Sequence, residues 1–115
     1  MNLEELEQFV LAEIETYRSV VSDGALGRAF TDEKVERVIV EMRAALVRPE
    51  WRTVDTFDPT AAGGQGEPRR CALVADDGTY QLFYDPIEDE FGLANGDPPA
   101  MIGVDGDAVG CWMAR

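Results

Sequence analysis

The chain has 115 residues, of which 23 are acidic and 10 basic, with no histidine and two cysteines. One domain fills that length, and 45% hydrophobic residues with 9% aromatics are enough for a packed core. A net charge of -13 argues against nucleic acid as a direct ligand, and the lack of histidine excludes His-based triads, His general bases and His metal ligands.

The first expected element is a helix over about residues 2–22. Asn2 is placed to cap it and Glu5 follows three residues on, a capping-box pattern. Leu3, Leu6, Val10, Ile14, Tyr17 and Val21 recur at three- and four-residue steps and share one face. Ser22-Asp23-Gly24 is a natural stop. A second helix is expected over about 31–48, opening at Thr31 and carrying Val35, Val38, Ile39, Met42 and Leu46 as its apolar stripe, with Pro49 preventing continuation. The short connection from Gly24 to Phe30 makes the pair a helical hairpin.

After Pro49 the period changes from helical to alternating, and a β-meander is expected over about 53–114. Thr53–Phe57 reads as a short strand, and the Gly-rich run at about 58–68 as a flexible loop. Cys71–Ala75 and Thr79–Tyr84 flank Asp76-Asp77-Gly78, a hairpin signal. Glu90–Ala94 is a third strand, ended by Asn95-Gly96. Met101–Val104 and Ala108–Ala114 flank Asp105-Gly106 as a second expected hairpin. Tyr80, Leu82 and Tyr84 point one way and Phe83 the other.

These elements define an α+β single domain: an N-terminal helical hairpin packed on one face of an antiparallel β-meander of about four to six strands. Cys71–Ala75 is apolar at every position, as a strand covered on both faces would be. Cys71 and Cys111 sit in apolar runs and read as reduced core residues. Trp51 reads as a plug at the end of the helix–sheet core, with a recognition patch of Arg48, Trp51 and Arg52 as the other reading, and Trp112 reads as core. The opening Met1-Asn2-Leu3-Glu4-Glu5 has neither a basic n-region nor an apolar h-region, so a cytoplasmic, non-membrane protein is expected.

Charge is unevenly placed. Residues 1–22 carry -4, residues 23–52 carry zero and residues 53–115 carry -9. Asp76, Asp77, Asp85, Glu88, Asp89 and Glu90 fall within fifteen residues that contain no base. Tyr80, Tyr84 and Phe91 flank them, and aromatic anchors inside a charged rim are the composition of protein interfaces. These nine residues are the expected partner-binding set, although the turn at 76–78 and the connection at 85–90 should lie at opposite ends of one strand.

Other chemistry finds less support. Ala62-Gly63-Gly64-Gln65-Gly66 lacks the Gly-Lys-Ser/Thr ending of a phosphate loop. Neither Asp105-Gly106-Asp107 nor Asp85–Glu90 has the ligand spacing of a calcium loop, so no metal and no cofactor are expected. No carboxylate pair is singled out for acid–base work, and no histidine is present to activate either thiol. The profile of a small acidic chain, helices first and a meander after, is similar in kind to bacterial immunity proteins and other small inhibitors of basic enzymes. The expectation is a non-enzymatic protein that neutralises a basic protein partner. Alternatives are a small enzyme or ligand-binding domain with a pocket between helices and sheet, and a nucleic-acid mimic that blocks a DNA-binding protein. A homodimer is compatible with the same faces.

Overall fold

The computed structural model describes residues 1–22 and 32–115. The chain runs α1 (Leu3–Ser22), α2 (Asp32–Ala45), β1 (Leu46–Phe57), a 3-10 turn (Ala62–Gly64), β2 (Gln65–Asp76), β3 (Tyr80–Asp85), β4 (Glu90–Asn95), β5 (Ala100–Gly106) and α3 (Ala108–Met113). The α+β expectation holds, with two helices ahead of five strands. The expected Asp23-Gly24 stop, the Gly24–Phe30 connection and the Thr31 start lie outside the described residues. Asn2 does cap α1, its Oδ1 accepting the Glu5 N–H at 2.8 Å.

The strands pair antiparallel in chain order, β1 to β5, and the sheet closes on itself through one parallel pair, Asp55 beside Ala100. The Asp55 N–H donates to the Pro99 carbonyl at 3.3 Å at the same seam. Closure creates two cores from one sheet. On the outer face Ala72, Val74, Leu82, Tyr84, Phe91 and Leu93 pack under α1, α2 and α3. On the inner face Val54, Cys71, Leu73, Phe83 and Ala94 fill the barrel, with Val47 and Met101 at its ends. The unbroken apolar run Cys71–Ala75 is explained by this arrangement, since alternate residues enter different cores. As read from the sequence, Tyr80, Leu82 and Tyr84 take the helix side and Phe83 takes the other.

Three boundaries differ from the sequence reading. First, α2 ends at Ala45 rather than near 48, and Leu46 enters β1 opposite Ala75. Pro49 does not follow a helix; it sits inside β1, where the strand advances from Leu46 to Glu50 while its partner moves only from Ala75 to Leu73. That bulge leaves residues 47–49 outside the ladder, which is where a strand tolerates proline. Second, β2 begins at Gln65, so the Gly-rich loop is shorter than 58–68. Gly66 is needed there because a Cβ would meet the Thr56 hydroxyl at 2.6 Å.

Third, Ala108–Met113 is a helix, not the strand of a second hairpin. Asp107 caps it, accepting the Gly110 N–H at 2.6 Å. Its buried residues Ala108, Val109, Cys111 and Trp112 follow helical spacing. Glu13 of α1 reinforces the start of α3, accepting the N–H groups of Val109 at 2.7 Å and Ala108 at 3.2 Å. The Tyr17 hydroxyl donates to Asp107 at 2.9 Å. The two carboxylates satisfy amides that the short helix leaves free, and the phenol braces one of them, Asp107.

Phe83→Ala empties the barrel and should cost about 3–5 kcal/mol in urea unfolding; Ile87→Ala, at a residue 71% exposed, should stay within about 0.5 kcal/mol. Burial pushes the Glu13 carboxyl up from its ordinary range, against the lowering effect of the Val109 and Ala108 N–H groups. A carboxyl raised on folding favours the native state while protonated, so its share of stability falls as pH rises through its titration. Glu13→Gln should therefore flatten the decline in stability between the carboxylate range and neutrality, measured by urea midpoints across pH. Equal pH slopes in the two proteins would contradict this.

Candidate functional site

The ladder brings one end of β1, β3, β4 and β5 together at a mouth of the barrel. Asp85 pairs with Glu90, and Gly92 with Asp105. Arg69 stands among these acids, its Nη1 2.5 Å from Asp85 Oδ2 and 3.8 Å from Glu88 Oε1. Asp85 is 6% exposed, and its other oxygen accepts the Ile87 N–H at 2.9 Å and the Glu88 N–H at 3.3 Å. It therefore builds the β3–β4 turn as well as holding the guanidinium. The bond to Asp85 also holds Arg69 more firmly in its charged form.

The mouth carries four carboxylates, Asp85, Glu88, Glu90 and Asp105, around that one guanidinium. Desolvation, then the charges of Asp105, Glu88 and Asp85, push the Glu90 carboxyl above its usual range. A cavity of about 220 Å³ opens here, with Phe57 and Met101 as apolar walls. Phe57 is 44% exposed. Its ring lies between Gly64 and Gly103, where an added Cβ would approach to 2.8 and 3.0 Å. Both glycines have positive φ, 75° and 85°, so backbone and side-chain requirements coincide there.

The nine residues expected from the sequence are divided between several places. Asp76 and Asp77 occupy the far end of β3. Asp76 accepts the Gly78 N–H at 2.8 Å, and Asp77 accepts those of Thr79 at 2.8 Å and Tyr80 at 2.7 Å. Asp77 also receives Arg115 Nη1 at 2.8 Å, while the same guanidinium pairs with Glu41 and lies 4.5 Å over the Trp112 ring. Burial alone would raise the Asp77 carboxyl, but the Tyr80 and Thr79 amides and Arg115 together bring it below its ordinary range. Tyr80 is half-buried against the helical core.

Tyr84 and Phe91 are buried, their ring centroids 5.4 Å apart, and Phe91 stacks on Phe9 at 6.1 Å. The Tyr84 hydroxyl donates to Asp89 at 2.6 Å; that bond, with burial, pushes the phenol up to about 12. Asp89 stays exposed in the turn beside Glu88. The mouth thus unites Asp85, Glu88 and Glu90 with three residues outside the expected partner-binding set, Phe57, Arg69 and Asp105. Phe57 ends β1, Arg69 lies within the neighbouring β2, and Asp105 comes from β5, which closure of the sheet brings round to β1.

Elsewhere, Trp51 is half-buried against the core with Arg70 over its ring at 5.8 Å, and Arg52 pairs with Glu50. A second concavity, about 800 Å³, lies between the first half of α1 and the start of β1. Among the described residues, no group of three or more His, Cys, Asp or Glu side chains is placed to hold a metal ion, and no helix is long and apolar enough to cross a membrane. No family model, curated protein or solved structure matches the chain.

Both cysteines are free and buried. Desolvation first, then nearby carboxylates, push the Cys71 thiol up to about 11 and the Cys111 thiol to about 12. Thiols held so far from thiolate are poor nucleophiles. The folded chain should therefore leave Ellman's reagent unreacted at pH 8, and both thiols should react once guanidinium unfolds it. Rapid reaction of either thiol in the native protein would count against this placement.

Proposed function

We propose that the chain is a non-enzymatic acidic binding protein that engages and neutralises a basic protein partner, in the manner of an immunity or inhibitor protein. The observation that carries this reading is the surplus of carboxylate at the barrel mouth. The one guanidinium there pairs with Asp85 and reaches Glu88 at 3.8 Å, while Glu90 and Asp105 line the same cavity, and an exposed aromatic ring stands beside them. Such a rim steers a cationic surface toward the site before contact, and Phe57 offers the apolar and π-face anchor that a basic side chain can cover. The net charge of -13 extends the same field over the rest of the molecule.

The test begins with affinity capture from the protein's own cells, washed at low and then at high salt. A basic protein held at low salt and released by salt supports the reading and supplies the partner. With that partner, Glu88→Lys together with Asp105→Lys should slow association by about tenfold and flatten its salt dependence, because rim charges act on the encounter rate. Asp85 is left intact, since it builds the turn. Capture of nothing, or association kinetics unchanged by the double reversal, would remove the mouth as the binding surface.

A further inference from the structure

The groove between α1 and β1 is separate from the barrel mouth. Its floor is apolar: Val10, Val74 and Pro49 are buried, while Leu3, Leu11 and Leu46 remain half-exposed. Glu4 and Glu7 stand exposed on the helix bank and Arg48 on the strand bank. At about 800 Å³ the groove has room for several side chains. We propose that it receives a short basic segment of a protein partner, whose one or two large apolar side chains enter the floor and whose Lys or Arg residues lie along Glu4 and Glu7. The proposal rests on the reading of the protein as a binder of basic partners and assigns that reading a second contact surface.

Charge selects the occupant. A second copy of this chain would bring a -13 surface and its own glutamates against Glu4 and Glu7, so self-association through the groove is opposed by like charge. A neutral apolar segment would fill the floor and leave the helix bank uncompensated. A basic segment with apolar anchors satisfies both at once. Arg48 on the other bank makes the groove polar across its width, which fixes which flank of the segment carries the positive charge.

The backbone selects the mode of docking. Among the described residues, the outer edge of β1 over residues 46–53 carries no strand, and the pairing with β5 is confined to Asp55 and Ala100. Strand addition there is blocked all the same. Residues 47–49 bulge out of the ladder and Pro49 has no N–H to give, two features that protect sheet edges. The segment is therefore held through its side chains and does not lengthen the sheet.

The experiment uses a display library of random 12-residue peptides, selected against the whole chain. Enriched peptides should combine Lys or Arg with at least one large apolar residue. Titrated into ¹⁵N-labelled protein, they should shift the amides of residues 3–11 and 46–50. Replacing the apolar anchor by Ser should weaken binding at least tenfold, as should Glu4→Lys with Glu7→Lys in the protein. Both glutamates are exposed, so that variant is expected to fold. Glu67→Lys, the reversal of an exposed charge outside both concavities, should leave the affinity unchanged.

Basic peptides that shift the barrel mouth instead would overturn the groove assignment and leave the basic-partner reading standing. Enrichment of acidic or uncharged peptides in the groove would overturn both. An all-Lys peptide binding as well as an anchored one, or no enrichment at all, would overturn the groove proposal.

Discussion

A twisted sheet of short strands can cover one face with helices, but its other face stays wet unless the sheet curls back on itself, and β2 makes that second burial a requirement. Cys71 and Leu73 point away from the helices into the barrel, while Ala72 and Val74 point toward them. Leaving either set in water would forfeit on the order of 1.5–3 kcal/mol for each large side chain. Curling brings β5 round to β1 and buries Phe83. Gly92 is kept open by Met101, whose sulfur would lie 2.7 Å from an added Cβ. The mouth depends on this closure, because it brings β5, with Met101, Gly103 and Asp105, round to Phe57 of β1 and completes the ring begun by Arg69 and Asp85 on the adjacent strands β2 and β3.

The charges divide by what they hold. Glu13 and Asp107 hold the start of α3, Asp77 and Arg115 tie the β2–β3 turn to the C-terminus, and Arg43 pairs with Glu15 between the two long helices. Arg69 and Asp85 close the β3–β4 turn from inside. These groups meet definite donors or acceptors, so their removal would leave amides or ions unpaired. Glu88 and Asp105 have far less to do within the fold. Glu88 reaches Arg69 only at 3.8 Å, and Asp105 sits opposite a glycine.

Much of the architecture was legible because it rests on local periodicity and turn chemistry. The α1 stripe, the Asp76-Asp77-Gly78 turn and the opposed directions of Leu82 and Phe83 are encoded within a few residues of one another. The helix at 108–113 was misread because Val109 and Trp112 favour strands, and a glycine ahead of them suggested a hairpin turn. Its helical spacing and Asp107 cap were present, but the deciding contact comes from Glu13, far away in the chain. β1 was truncated for the opposite reason, since proline usually ends an element and here occupies a bulge. At the candidate site, composition singled out Asp85, Glu88 and Glu90, which the fold brings together at the barrel mouth, but could not separate a buried aromatic from an exposed one. Tyr84 and Phe91 went to the core, and Phe57, in an unremarkable position before a loop, is the exposed ring.

Solubility alone would explain scattered acids, and many on this surface need no other account. It does not explain their gathering at one end of a closed ladder. Opposing like charges across paired strands is unfavourable, yet Asp85 faces Glu90 and the Asp105 strand lies beside them. Desolvation first, and then the charges of Asp105, Glu88 and Asp85, hold the Glu90 carboxyl above its usual range. Arg69 relieves Asp85, which is buried, and leaves the more exposed carboxylates largely uncompensated. A fold under selection for stability alone would gain by replacing Glu88 or Asp105 with a base. Retaining both beside an exposed phenylalanine concentrates negative potential where a cation meets an apolar surface, which is the physical basis for reading the mouth as a docking site.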